Sequence, residues 1–131
     1  MNTIKARVAK ISGTDGINLV GFTAEGEELT MMSLELDESL QVGSEVILGM
    51  KATTVSLAKE KNSMLSISNQ LPVRIKSINS GELLSSVKLS FSDETIESII
   101  TKNSALRMDL KLDDEIVAFV KASDLSIVEI R

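Results

Sequence analysis

Two short elements occur twice in this sequence and bring together side chains that can hold an anion. One is Thr-x-x-Ser, as Thr30-Met31-Met32-Ser33 and Thr101-Lys102-Asn103-Ser104. The other is Lys-Ala-Thr/Ser, as Lys51-Ala52-Thr53 and Lys121-Ala122-Ser123. A third segment, Ser66-Ile67-Ser68-Asn69, has no full counterpart upstream, where the chain opens on Met1-Asn2. The group offers hydroxyls, one ammonium per copy and backbone N–H groups, and almost no carboxylate. Such donors form charge-assisted bonds to an oxyanion without needing a basic surface. A protonated oxyanion such as monohydrogen phosphate must itself donate, so its site needs an acceptor. A donor-only site favours an anion without a proton at neutral pH, such as molybdate, tungstate or sulfate. Taken singly, a Thr-x-x-Ser is most often a helix cap or a turn, and a Lys-Ala-Ser a solvated strand end. Their joint recurrence carries the anion reading.

The elements that position these residues also repeat. Arg7-Val8-Ala9-Lys10-Ile11 matches Arg74-Ile75-Lys76-Ser77-Ile78, 67 residues on (74 against 7). Val42-Gly43-Ser44-Glu45-Val46 matches Leu112-Asp113-Asp114-Glu115-Ile116, 70 residues on (112 against 42). The changed offset implies a longer middle hairpin in the second copy. Apolar residues alternate with polar ones at Ile4, Ala6, Val8, at Leu71, Val73, Ile75, and at Val87, Leu89, Phe91, which is the period of a half-buried strand. Ser12–Gly16, Ala24–Glu27, Asn79–Gly81 and Ser92-Asp93 read as turns. The expected fold is all-β: two tandem OB-like small antiparallel β-barrels, residues 1–60 and 64–131. Each is expected to carry one short helix, near Asp37–Leu40 and Ser104–Met108, with Asp37 and Asn103 or Ser104 as N-caps. Lys59–Ser63 reads as a linker and Met64–Ser68 as a strand entering the second copy.

Composition excludes several classes of function. With no His and no Cys there is no imidazole or thiolate metal site, no disulfide, no Cys nucleophile and no His-based triad. A net charge of −5, with 2% aromatic residues, argues against nucleic acid as a partner. No apolar run reaches the ~20 residues of a membrane span, and no signal-peptide pattern opens the chain, so a cytoplasmic protein is expected. The carboxylate clusters Asp113-Asp114-Glu115 and Glu25-Gly26-Glu27-Glu28 sit at turn-like positions, and no enzyme is expected. The apolar 43% is nearly all aliphatic, and a short chain with no disulfide favours further burial between subunits.

The second copy resembles the molybdate-binding Mop family (molbindins, TOBE-like), here as a tandem di-Mop arrangement. Ser66-Ile67-Ser68-Asn69-Gln70-Leu71 is similar to the family's Ser-Ala-Arg-Asn-Gln-Leu opening, with Ser68 in place of the Arg. Ile99-Ile100-Thr101-Lys102-Asn103-Ser104 resembles its Ile-[ST]-x-x-Ser segment, and Leu112–Leu125 its closing Gly-Asp-Glu-Val…Lys-Ala-[ST]-x-Val stretch. The resemblance implies strands exchanged between units, a trimer of tandem chains, and molybdate or tungstate bound at interfaces between units. By position it implies Thr101, Ser104, Lys121, Ala122 and Ser123, with Ser66, Ser68 and Asn69, as anion-binding residues. Their first-copy counterparts are Thr30, Ser33, Lys51, Ala52 and Thr53, with Asn2 opposite Asn69. A second kind of site would involve the loops Gly13–Gly16 and Asn79–Gly81. The implied function is molybdenum storage and homeostasis. The alternative is a molybdate-sensing module acting in trans on a transcription regulator or a transporter ATPase, because the chain itself holds no P-loop and no helix-turn-helix region.

Overall fold

The computed structural model describes all 131 residues. The first copy contributes β1 (Asn2–Thr14), β2 (Ile17–Ala24), β3 (Glu27–Ser33), β4 (Glu45–Met50) and β5 (Ser56–Ala58). The second contributes β6 (Asn69–Ser80), β7 (Leu84–Phe91), β8 (Glu94–Thr101), the helix α1 (Lys102–Arg107), β9 (Glu115–Val120) and β10 (Ser126–Ile130). A single 3₁₀ turn follows β4 (Ala52–Thr54) and another follows β9 (Ala122–Asp124). The alternating residues named from the sequence all point inward, from Ile4, Ala6 and Val8 to Val87, Leu89 and Phe91.

The strands form two five-stranded antiparallel sheets of the OB-like type. One runs β10-β4-β1-β2-β3 and the other β5-β9-β6-β7-β8. The last strand of each copy therefore lies in the other copy's sheet. β5 pairs with β9 through Ser56↔Phe119, and β10 pairs with β4 through Ser126↔Gly49. The 3₁₀ turns redirect the chain for this crossing, and the residue after each turn, Val55 or Leu125, is buried. The apolar interior is accordingly one cluster of 24 buried residues drawn from both copies.

Register is preserved between copies in detail. β1 is bulged between Val8 and Lys10 and β6 between Ile75 and Ser77, at matching positions. A bulge adds a residue and increases local twist, which helps a short sheet curl. It also moves the inward face by one residue, so Ile11 and Ile78 pack on the core after Val8 and Ile75. The backbone groups it releases find matching partners. Val8 bonds to Ser44 O and Gly43 N at 2.9 and 2.8 Å, and Ile75 to Asp114 O and Asp113 N at 3.0 and 2.9 Å. At the β1–β2 and β2–β3 corners Asp15-Gly16 and Glu25-Gly26 both take positive φ, as two-residue hairpin turns of the I′ kind require.

Four expectations from the sequence are corrected. The hairpins of the two copies have equal length: Asn18↔Ser33 in the first corresponds to Ser85↔Ile100 in the second, 67 residues on in both strands. The extra residues lie between β8 and β9, and that connection holds α1. The first copy has no helix at Asp37–Leu40. There Asp37 makes a side-chain-closed turn, its Oδ1 accepting from Ser39 N at 2.8 Å, and the shorter connection holds no helical turn. The N-cap of α1 is Thr101, ahead of Asn103 and Ser104, because its Oγ1 accepts from Ser104 N at 3.1 Å. Met64–Ser68 is not a strand. Asn62 folds the connection back by accepting from Met64 N at 3.0 Å, and the Gln70 amide pins Asn62 on its backbone N–H and C=O at 3.0 and 2.9 Å.

Candidate functional site

The strand crossing creates two seams. In the first, β3 of the first copy packs against the 3₁₀ turn of Lys121-Ala122-Ser123 and the head of β6. In the second, β8 of the second copy packs against the turn of Lys51-Ala52-Thr53 and the head of β1. Each Lys-Ala-Thr/Ser element thus faces the other copy's third strand.

A buried asparagine closes each seam. Asn69, 1% exposed, accepts from Thr30 N at 2.7 Å and donates to Thr30 O at 2.9 Å. Asn2, 8% exposed, accepts from Glu97 N at 2.8 Å and donates to Glu97 O at 2.7 Å. β3 and β8 are sheet edges, with backbone groups left without a strand neighbour. The primary amide reproduces the donor–acceptor pair of a peptide, so each asparagine acts as one residue of an absent strand. The matching of Asn2 with Asn69 makes Thr30 and Glu97 equivalent positions.

That equivalence changes the reading of the two Thr-x-x-Ser elements. Thr30 lies in the middle of β3 and Thr101 at the end of β8, so the two stand four residues apart in register. The first-copy residue that stands where Thr101 does is Leu34, 75% exposed. The chance spacing of Thr30 and Ser33 imitates the later motif, and only strand register tells them apart.

The hydroxyls and ammonium groups are arranged as follows. Ser33 Oγ donates to Glu35 O at 2.6 Å. Thr101 Oγ1 donates to Ser104 Oγ at 2.9 Å, and Arg107 Nη2 donates to the same Oγ at 3.2 Å. Arg107 is a cation the sequence motif did not flag; its place one helical turn after Ser104 is the available signal. Lys51 and Lys121 precede their 3₁₀ turns, are exposed, and form none of the chain's ion pairs. Thr53 and Ser123 are exposed beside the two lysines, Ser66 and Ser68 are exposed ahead of β6, and Ala52 and Ala122 are half-buried.

Ser33 and Ser123 meet in an open groove of about 960 Å³. The same groove carries the carboxylates Glu35, Asp37 and Glu129 and the apolar Leu34 and Val128. Glu129 arrives on β10, nearly a hundred residues after Ser33, so no local pattern announces it. The side-chain hydroxyl and backbone N–H of Ser39 hold the Asp37 carboxyl below its ordinary value of 3.8. No group of three or more His, Cys, Asp or Glu side chains converges as a metal site.

Residues 65–127 match the family model described as the TOBE domain. No curated protein sequence matches the chain. Among solved structures the chain is similar to the cytoplasmic molybdate-binding protein ModG, in a crystal form with molybdate bound. The TM-score is 0.88 at 27% identity, over 96% of this chain and 94% of that one. The family match covers the second copy, the same strand register repeats in the first, and the likeness to ModG extends along nearly the whole chain.

Proposed function

We propose that this chain binds molybdate, or tungstate, as a fully deprotonated oxyanion, and serves cytoplasmic molybdenum storage and homeostasis without a catalytic step. The observation that carries this reading is the near full-length likeness to the molybdate-bound form of ModG. The donor groups at the seams support it: Lys51 and Lys121 without an ion-pair partner, and the hydroxyls of Thr53, Thr101, Ser104, Ser123, Ser66 and Ser68. Thr30 and Asn69 contribute by setting the seam through their mutual clamp.

The two repeats, residues 1–60 and 64–131, assemble in this reading into a homotrimer of tandem chains. The chain exposes 7868 Å², whereas a monomer of 14.2 kDa exposes roughly 6,800 Å² on the usual size scaling. The excess includes Leu19, Met32, Leu34, Leu84 and Leu106 on outer faces. Burial of such residues between subunits recovers about 25 cal/mol per Å² of apolar area. Anion sites at interfaces couple ligand to assembly, so ligand raises apparent stability by mass action. The test is incubation of the pure protein with molybdate, desalting, and measurement of metal per chain with native mass. Retained Mo with a raised Tm supports the reading; no retained Mo or W and an unmoved Tm refutes it.

A further inference from the structure

The two seams are alike in fold and unequal in charge. The cations around β8 include Lys51, Lys102, Arg107, already on Ser104 Oγ, and Lys76, whose Nζ donates to Thr95 Oγ1 at 3.1 Å. The two carboxylates on that strand keep their charge and are each hydrogen-bonded: Glu97 accepts from Ser86 Oγ, and Glu94 accepts from Lys5 N at 3.1 and 3.2 Å. On the β3 side Lys121 precedes the turn that packs on the strand. Glu35, Asp37 and Glu129 line the groove that holds Ser33 and Ser123, Asp124 sits in the Lys121 turn, and Glu27 and Glu28 lie on β3 itself. Ser66 and Ser68, near the head of β6, add hydroxyls to this side but no charge. The strand register adds a second difference, since Leu34 occupies the place that Thr101 holds in the other seam.

We infer that the two seams bind oxyanion with unequal affinity: the β8 seam, with Lys51, Thr53, Thr101 and Ser104, fills first, and the β3 seam, with Lys121 and Ser123 among carboxylates, fills second and weakly. This rests on the oxyanion reading above. The ligand is a dianion, so each nearby carboxylate acts on it with twice the force of a single charge. One carboxylate about 8 Å away, at an effective dielectric of about 20 and screened over a Debye length of about 8 Å, weakens binding on the order of tenfold. Because these groups are solvent-facing, salt screens the repulsion, and the gap narrows as ionic strength rises.

Calorimetric titration of the full chain with sodium molybdate, at low and high salt, tests this. The expected isotherm has a tight phase of one equivalent per chain and a second, weaker by about tenfold or more, that approaches it at high salt. Lys51→Ala removes the tight phase while Lys121→Ala spares it. The triple variant Glu35→Gln, Asp37→Asn, Glu129→Gln strengthens the weak phase and leaves the tight one unchanged; the amide introduced by Asp37→Asn still accepts from Ser39 and keeps the turn, and an unmoved Tm certifies the fold. A single class of two equal equivalents overturns the inference and leaves molybdate binding standing, as does loss of the tight phase in Lys121→Ala alone. Absence of any heat and any retained Mo in the parent protein overturns the oxyanion reading itself.

Discussion

Replacing Asn69 by Ala tests the clamp that sets the β3 seam. Asn69 is buried and uses both ends of its amide on one residue, with Thr30 N at 2.7 Å and Thr30 O at 2.9 Å. Truncation leaves a backbone N–H and a C=O unpaired at a half-buried sheet edge, each costing about 1–3 kcal/mol when water cannot replace the partner. Water reaches part of Thr30, so the lower half of the sum applies, and the expected loss is about 2–4 kcal/mol. Asn69→Asp separates hydrogen bonding from packing. It keeps the acceptor for Thr30 N but turns a second oxygen on Thr30 O, so it should cost at least as much as Ala despite matching the native shape. Equilibrium urea unfolding of the three proteins provides the measurement, with m checked for constancy. Asn2→Ala should lose a similar amount at Glu97, and the double variant should be additive within about 0.5 kcal/mol because the clamps sit in different seams. A loss below about 0.5 kcal/mol for Asn69→Ala, or an Asp variant as stable as the parent, would refute the peptide-mimic argument.

Deleting residues 126–131 removes β10 from the sheet built on β1–β4, so the damage should appear in the first copy: amide exchange of β4 should accelerate more than that of β6 and β7. A fragment of residues 1–60 should fail to fold alone, with no cooperative thermal transition, because β5 and Val55 have their partners in the second copy. Asp113→Gly copies Gly43 at a position with φ of 69° and should stabilise by about 0.5 kcal/mol in thermal unfolding. Thr101→Ala removes the cap of α1 and should cost about 1 kcal/mol while also weakening molybdate retention. The Asp37 carboxyl titrates lower folded than unfolded, so its contribution is complete above about pH 4 and is lost as pH falls through its folded value. Asp37→Asn should flatten the acid limb of the stability–pH curve.

Period-two alternation, turn chemistry and the internal repeat were enough to place the long strands, inward faces and an all-β tandem architecture, because these depend on neighbours one to four residues apart; only the alternation of Met64–Ser68 misled. The Lys-Ala-Thr/Ser elements were legible for the same reason. Chain order could not say which sheet β5 and β10 would join, since that depends on where the 3₁₀ turns send the chain and where Val55 and Leu125 find burial. It also misled on Thr30 and Ser33, whose spacing copies that of Thr101 and Ser104 four residues out of register. Only the pairing of Asn2 and Asn69 with their edge strands, and the arrival of Glu129 beside Ser33, decided the chemistry of each seam. Local pattern governs which residues form strands and turns; long-range pairing governs which side chains share a site, and electrostatics follows from that second choice.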